Sequence, residues 1–339
     1  MMKAAVLVKV GEGLVVQDRE IPIPQDGEVL ARVDMCGVCT SDLMALKGEV
    51  TDYSPPVVMG HEIAATAIES RNPAVKEGQK LTLNPMITCG ECLFCRRDQG
   101  KYCEKLYGFG HDIDGGYAEY MLIPEGAIRI GGVIEVEEDM PPEELIFVEP
   151  LGCCLNAWRE TEFREDLAIL GAGPIGLIFL ILALRSGLRT AVFEPLPGRR
   201  EWAQKLGAEA VFGVERCEVE RFREVMGGGV DTVIVATNDP GAIELAFNVA
   251  RCGAFLNFFG LFPKGNELRI ELEDMHFMGY RLIASWAFSR WSLERARDEI
   301  ASGRISLREL LTHVLPLERI NEAMRMVERR KGMKVAVKP

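Results

Sequence analysis

The sequence predicts an α/β protein in two parts: a β-rich domain, and a doubly wound parallel sheet flanked by helices. Three observations predict it. Roughly the first 150 residues are short apolar runs broken by Gly and Pro, with little helical periodicity. From about residue 153 strands and helices alternate, the pattern of a parallel sheet with right-handed crossovers. Within that stretch a glycine-rich turn, GAGPIG, joins an apolar strand to an apolar helix. At 339 residues the chain has length enough for both parts.

The elements follow in order. LVVQDREIPIP, EVLARVDMCGV and PPVVMGHEIAATAIE read as strands separated by turns. CCLNAWRETE suits a helix. DLAIL is a buried strand, the apolar run after GAGPIG a buried helix, TAVFEP a second strand and GRREWAQKLGA an amphipathic helix. DTVIVAT and AFLNFFG continue the sheet. Beyond residue 288, SLERARDEIASG and ERINEAMRMVERR return to helix, and MKVAVKP closes on a short strand. That tail is too short to be a domain, so it is expected to pack back onto the β-rich region. The expected boundaries are residues 1–151, 152–287 and 288–339.

Composition excludes some classes. The formal net charge of −12 argues against nucleic acid and anionic membrane as partners. No uncharged apolar run of about 20 residues occurs, so no membrane span is expected. The opening MMKAAVLVKV lacks an apolar core with a small-residue cleavage site, which makes the cytoplasm the expected location. Ten cysteines in a reducing compartment are not disulfides, and their spacing decides their meaning.

Cys89, Cys92, Cys95 and Cys103 stand as C-x2-C-x2-C-x7-C on a loop that holds Gly90 and Gly100. Closely spaced thiolates on a turning loop supply three corners of a tetrahedron, and a short excursion returns the fourth. Four thiolates leave no open position, which describes a structural zinc. An iron–sulfur cluster is the rival reading of the same ligands.

Three separate pieces offer a second metal set. GVCTSDL carries Cys39, MGHEIAA carries His61 and Glu62, and VEPLGCC carries Glu149. A catalytic zinc keeps three protein ligands and one open place, and thiolate, imidazole and carboxylate are suitable types. Asp42 is placed to hold the unused ring nitrogen of His61, and Ser41 to take a proton from an alcohol. Each residue alone has a plainer reading. His61 reads as a structural histidine, and Cys39 as a core thiol like Cys36, Cys217 and Cys252. Glu62 and Glu149 read as solvated surface. Of the four histidines, His111, His276 and His313 lack such neighbours in sequence. Spacing leaves both readings open.

GAGPIG, with Gly171, Gly173, Pro174, Ile175 and Gly176, sits between strand and helix as a dinucleotide turn must. Phosphates would lie at the helix N-terminus, where free N–H groups favour anions. Glu194 ends the next strand 18 residues after Gly176. An acid there accepts ribose hydroxyls and repels a 2′-phosphate, which favours NAD over NADP. Arg199 and Arg200 stand close enough in sequence to serve such a phosphate. The bare alternative is a glycine turn with no ligand.

In this order the pieces resemble the zinc-dependent medium-chain alcohol dehydrogenase family, over essentially the whole chain. The resemblance rests on GHE, the four-cysteine loop, GGYAEY at Gly115 to Tyr120, GAGPIG, and KLGA at Lys205 to Ala208. EPLGCCLNAW, FFGLFPKG and the ending GMKVAVKP resemble its polyol branch of sorbitol or iditol dehydrogenase-like proteins, with sugar-alcohol-phosphate dehydrogenases nearby. The family implies a GroES-like catalytic domain, a Rossmann domain, and a homodimer or homotetramer. It implies two zinc ions per chain: a structural one at the four cysteines, and a catalytic one at Cys39, His61, Glu62 and Glu149. The two carboxylates would bind that zinc directly or through water.

The implied activity is oxidation of a secondary alcohol on a polyol-like small molecule, with hydride passing to the nicotinamide. One departure stands out. Many relatives carry a proton-relay histidine five residues after the zinc cysteine, and here that residue is Met44. Two other functions remain in view: a threonine 3-dehydrogenase-like enzyme acting on an amino alcohol, and a non-catalytic zinc- and NAD-binding redox sensor. Tyr53, Phe109, Trp286 and Phe288 are expected either in a substrate-pocket wall or in the core.

Overall fold

The structure, a computed structural model, describes residues 1–50, 53–137 and 140–339. The chain falls into two compact units, Met1–Cys153 together with Phe288–Pro339, and Cys154–Ala287.

Among the described residues the first unit is built on a seven-stranded sheet. Its central strand, Val29–Val38, is apolar at nearly every position because both faces are covered. It pairs antiparallel with Glu62–Ser70, Tyr120–Ile123 and Lys334–Lys338. Lys334–Lys338 pairs in turn, in parallel, with Leu311–Pro316. Val335 and Val337 are fully buried in the same core as Val29, Ala31 and Val33. Burying two valines contributes roughly 3–6 kcal/mol toward docking this strand, with the ladder hydrogen bonds on both sides adding to it. A smaller sheet sets Met2–Leu7 between Val15–Arg19 and Val57–Val58.

Register gathers chemistry at one end of the large sheet. Gly37 stands opposite both Glu62 and Ala336, and Val38 opposite Val335. The strand Val29–Val38 then turns at Cys39 into the short helix Thr40–Leu46. Cys39, Glu62 and Lys334 therefore meet there from three distant parts of the sequence.

The second unit is a parallel sheet in which six strands are described. From one edge to the other they run Ala210–Phe212, Arg189–Phe193, Asp166–Leu170, Val230–Val235, Ala250–Phe258 and Arg281–Ala284. Counted along the chain this is order 3-2-1-4-5-6, the doubly wound arrangement whose ligand crevice lies where the order reverses. Helix Pro174–Arg185 is apolar on all sides and accordingly buried, with Leu177, Ile178, Phe179 and Leu180 inaccessible. At the opposite ends of the strands, Asp166 accepts from Arg189 at 2.7 Å and from Arg251 at 2.5 Å, and Arg251 also reaches Asp231 at 3.2 Å.

Some side chains lie elsewhere than the sequence reading put them. Cys36 is buried, but Cys217 and Cys252 are exposed. Cys217 faces solvent from the first turn of helix Arg216–Val225, and Cys252 lies 3.6 Å from the Met278 sulfur at the start of strand Ala250–Phe258. Phe109 and Phe288 are core residues at 0% and 4% exposure, which removes them from any pocket wall. Trp286 is 46% exposed and Tyr53 half-buried.

Candidate metal and dinucleotide sites

Among the described residues, two groups bring metal-ligand atoms together. In the first, the sulfurs of Cys89, Cys92, Cys95 and Cys103 all lie within 4.8 Å of one another. A zinc tetrahedron with arms of about 2.3 Å has edges of roughly 3.8 Å. Cys89 and Cys95 are 3.8 Å apart, and Cys92 and Cys95 3.4 Å, so the cage fits such an ion. The loop pre-forms it. Gly90 takes the left-handed turn at φ +78°, and Cys92 opens helix Leu93–Arg96. The backbone N–H of Cys92 donates to the Cys89 sulfur at 3.3 Å, and that of Cys89 to the Cys103 sulfur at 3.4 Å. Backbone donors at Glu91 and Cys92 pull the Cys89 thiol down to about 6, while burial pushes Cys103 up to about 11.

The second group is Cys39, His61 and Glu62, again within 4.8 Å. Asp42 sits behind it, fully buried. Its Oδ1 is 3.2 Å from His61 Nδ1, leaving Nε2 as the nitrogen free to face an ion. Its Oδ2 accepts from the Cys39 N–H at 3.0 Å and from the Tyr117 hydroxyl at 2.7 Å. Burial alone would favour neutral imidazole, but Asp42 and Cys39 outweigh it and hold the His61 pKa well above its ordinary value. Burial likewise opposes the Asp42 charge, yet His61, Tyr117 and Cys39 bring its pKa below the usual range. A thiol, an imidazole and a carboxylate converging in a buried site suit zinc.

Two participants lacked a signal in the sequence. Lys334, 5% exposed, forms an ion pair with Glu62, 1% exposed. A Cβ on Gly37 would overlap the Glu62 carboxylate and come within 3.0 Å of Lys334 Cε, so only glycine leaves room for the pair. His111, which lacks the sequence neighbours of His61, has its ring centre 5.8 Å from that of His61 and stacks on Tyr53 at 4.0 Å.

Glu149 lies outside the three-residue group. It is buried in the first turn of helix Val148–Glu160 and accepts from the Cys153 thiol at 3.2 Å. Burial raises its carboxyl pKa, helped by the charge of Glu62 and opposed by His61, so the three groups share one field. Glu62 and Glu149 are thus both buried, contrary to the plain surface reading. Ser41 is half-buried in helix Thr40–Leu46, and Met44 in the same helix is 3% exposed.

In the second unit the glycine turn caps the first strand of the sheet, at the point of order reversal. Gly171 has φ +103°, and a Cβ on Gly176 would overlap the Gly171 carbonyl, so neither position admits a side chain. Gly173 caps helix Pro174–Arg185, with Pro174 and Ile175 opening its first turn. The Glu194 carboxylate, 3% exposed, accepts from the Ala172 N–H at 2.8 Å and the Leu196 N–H at 3.0 Å. Arg200 is committed to the Glu194 and Pro195 carbonyls at 2.9 and 3.1 Å. Arg199 leans over the turn, its Nη1 3.5 Å from where a Gly173 Cβ would stand.

Comparison with known proteins finds the same two domains. Residues 25–136 match the alcohol dehydrogenase GroES-like domain, and residues 174–302 the zinc-binding dehydrogenase domain. The chain is 30% identical to the L-galactonate-5-dehydrogenase of Escherichia coli (strain K12), over 91% of this chain and 90% of that protein. It is 29% identical to the L-threonine 3-dehydrogenase of Pyrococcus horikoshii, over 92% and 91% respectively. A zinc-binding dehydrogenase from Sinorhizobium meliloti 1021, solved with NADP bound, superposes with a TM-score of 0.91 at 28% identity, covering 100% of this chain and 99% of that one.

Proposed function

The chain belongs to the zinc-dependent medium-chain dehydrogenase/reductase family, and from that premise we propose that it oxidises a secondary alcohol of a polyol, cyclitol or sugar alcohol to the ketone, with NAD as hydride acceptor. The observation that carries the proposal is the convergence of Cys39, His61 and Glu62 in front of buried Asp42.

Cys39 and His61 would hold the catalytic zinc, with Glu62 and Glu149 as its carboxylate partners, direct or through water. Zinc there supplies a Lewis acid that lowers the pKa of a substrate hydroxyl. Asp42 fixes the ring of His61. Ser41 takes the hydroxyl proton, and with Met44 buried the relay runs onward to water. The carbinol hydrogen leaves with its electron pair to NAD, so alcohol and NAD become ketone, NADH and one proton. The four-cysteine cage holds a second, structural zinc.

Gly171, Gly173, Pro174, Ile175 and Gly176 cradle the pyrophosphate. Glu194 accepts the ribose hydroxyls with lone pairs its two backbone donors leave over, and its charge opposes a 2′-phosphate. Arg199, over the same glycine turn, would be the cation nearest a phosphate on that ribose.

A carboxylate at Glu149 would offer the metal a harder donor than a thiolate, one that suits oxygen-rich surroundings. That supports a substrate with adjacent hydroxyls, and the similarity to a sugar-acid dehydrogenase agrees with it. Oxidation of L-threonine is the second reading, supported by the relative from Pyrococcus horikoshii. The deciding experiment is NADH formation from linear polyols, cyclitols, aldonates and their phosphates, against L-threonine and ethanol. Highest kcat/KM on a polyol supports the proposal, and highest kcat/KM on threonine replaces it. A redox sensor would turn over none of them. A homodimer or homotetramer is supported by the outer edge of strand Arg281–Ala284, which pairs with no described strand, and by exposed Leu272 and Phe277 nearby.

A further inference from the structure

The stretch Gly115 to Tyr120 has no part in the chemistry above, yet its tyrosine reaches the metal site. We propose that the Tyr117 hydroxyl is a positioning group for the zinc ligand His61, acting through Asp42. The inference rests on the reading of Cys39 and His61 as zinc ligands.

Tyr117 is fully buried. Its hydroxyl lies 2.7 Å from Asp42 Oδ2 and 3.2 Å from the Gly37 carbonyl. One proton serves one acceptor best, and the shorter contact to a charged oxygen takes it. With the Cys39 N–H at 3.0 Å, Oδ2 then has two donors and cannot rotate away. The other oxygen, Oδ1, lies 3.2 Å from His61 Nδ1, an ion-pair contact whose alignment depends on how the carboxylate is held. Remove the hydroxyl and Oδ2 keeps only the Cys39 N–H, so the twist of the carboxylate loses the shorter of its two donors.

The ring itself is held with matching care. The Tyr117 N–H donates to the Met59 carbonyl at 2.9 Å, and its carbonyl accepts from Ala5 at 2.8 Å. A Cβ on Gly60 would stand 2.7 Å from the ring, so the glycine before His61 is what admits it. The GHE and GGYAEY segments are thus packed on one another, joined by the Gly116 N–H to the Gly60 carbonyl at 2.8 Å, while the hydroxyl reaches on to Asp42 and Gly37.

Tyr117→Phe deletes only the oxygen. The readout is zinc release to a chromophoric chelator, with the visible spectrum of protein carrying cobalt in the Cys39–His61 site as a second probe. Partners of a ligating histidine are worth about 10–100-fold in metal affinity, and a group one step further out should lie near the bottom of that range. The expected result is roughly tenfold faster release from the Cys39–His61 site, a shifted cobalt spectrum, and unchanged release from the four-cysteine site. In an Asp42→Asn background the same change should add almost nothing. A wild-type release rate and spectrum in Tyr117→Phe would overturn the inference, as would full additivity with Asp42→Asn. A wild-type protein that holds no zinc at Cys39 and His61 overturns the underlying reading as well, which separates the two failures.

Discussion

Replacing Lys334 by methionine removes an ammonium group and keeps an apolar stem of similar length. At 5% and 1% exposure, Lys334 and Glu62 are both out of water. Breaking such a pair by deleting one partner costs about 3–5 kcal/mol, because the remaining charge is buried without compensation. Zinc-free Lys334→Met should therefore lose at least about 3 kcal/mol, read by urea unfolding with circular dichroism. Zinc-loaded protein should lose less, because a cation at Cys39 and His61 compensates Glu62. Combining Lys334→Met with Glu62→Gln should recover much of the loss, giving a strongly non-additive cycle. A loss under about 1 kcal/mol in the zinc-free protein, or simple additivity, would refute the argument and mark the pair as energetically neutral.

Other expectations concern chemistry and the second unit. Glu149→Ala should lower kcat severely, and Glu149→Cys should keep zinc while shifting preference toward simple alcohols; near-normal turnover in Glu149→Ala would reduce the residue to a local partner of Cys153. Catalytic efficiency should be higher with NAD than NADP, and Glu194→Ala should narrow the gap; equal efficiency in the wild type would mean that Arg199 outweighs Glu194. Asp166→Asn should cost about 1–3 kcal/mol, below the fully buried range because Arg189 and Arg251 remain partly solvated. Burial opposes the Asp166 charge, but the two arginines hold its pKa below the ordinary carboxylate value. Its contribution is then complete above an unfolded pKa of about 3.9 and is lost as pH falls toward the lower folded value. Wild type should lose more stability than Asp166→Asn in that acid window, and parallel curves would contradict it.

What was legible in the sequence is what local pattern encodes. Alternating strands and helices announced the parallel sheet. GAGPIG marks its first strand-to-helix turn, because that turn needs glycine at Gly171 and Gly176 whatever surrounds it. The four cysteines fall within fifteen residues, so one loop can close the cage alone. What stayed hidden depends on sheet register. Lys334 reads as an ordinary charged start to a strand until pairing sets Val335 opposite Val38 and brings the lysine to Glu62. His111 stands fifty residues from His61 in sequence, yet folding lays it beside His61 and Tyr53. Tyr117 belonged to a recognised segment whose contact with Asp42 spans 75 residues. Strand Leu311–Pro316 carries no clean alternation and was not read; its partner Lys334–Lys338 supplies the order its own pattern lacks.

The central claim is that this chain carries two metal centres with separate roles, and metal analysis of wild type and two variants tests it most directly. Carefully prepared wild type should hold two zinc ions per chain. Cys39→Ala should hold one, keep its fold by circular dichroism and lose turnover. Cys92→Ala should lose the other and melt at a lower temperature. One zinc or none in the wild type, or a Cys39→Ala variant that still turns over its alcohol, would contradict the account.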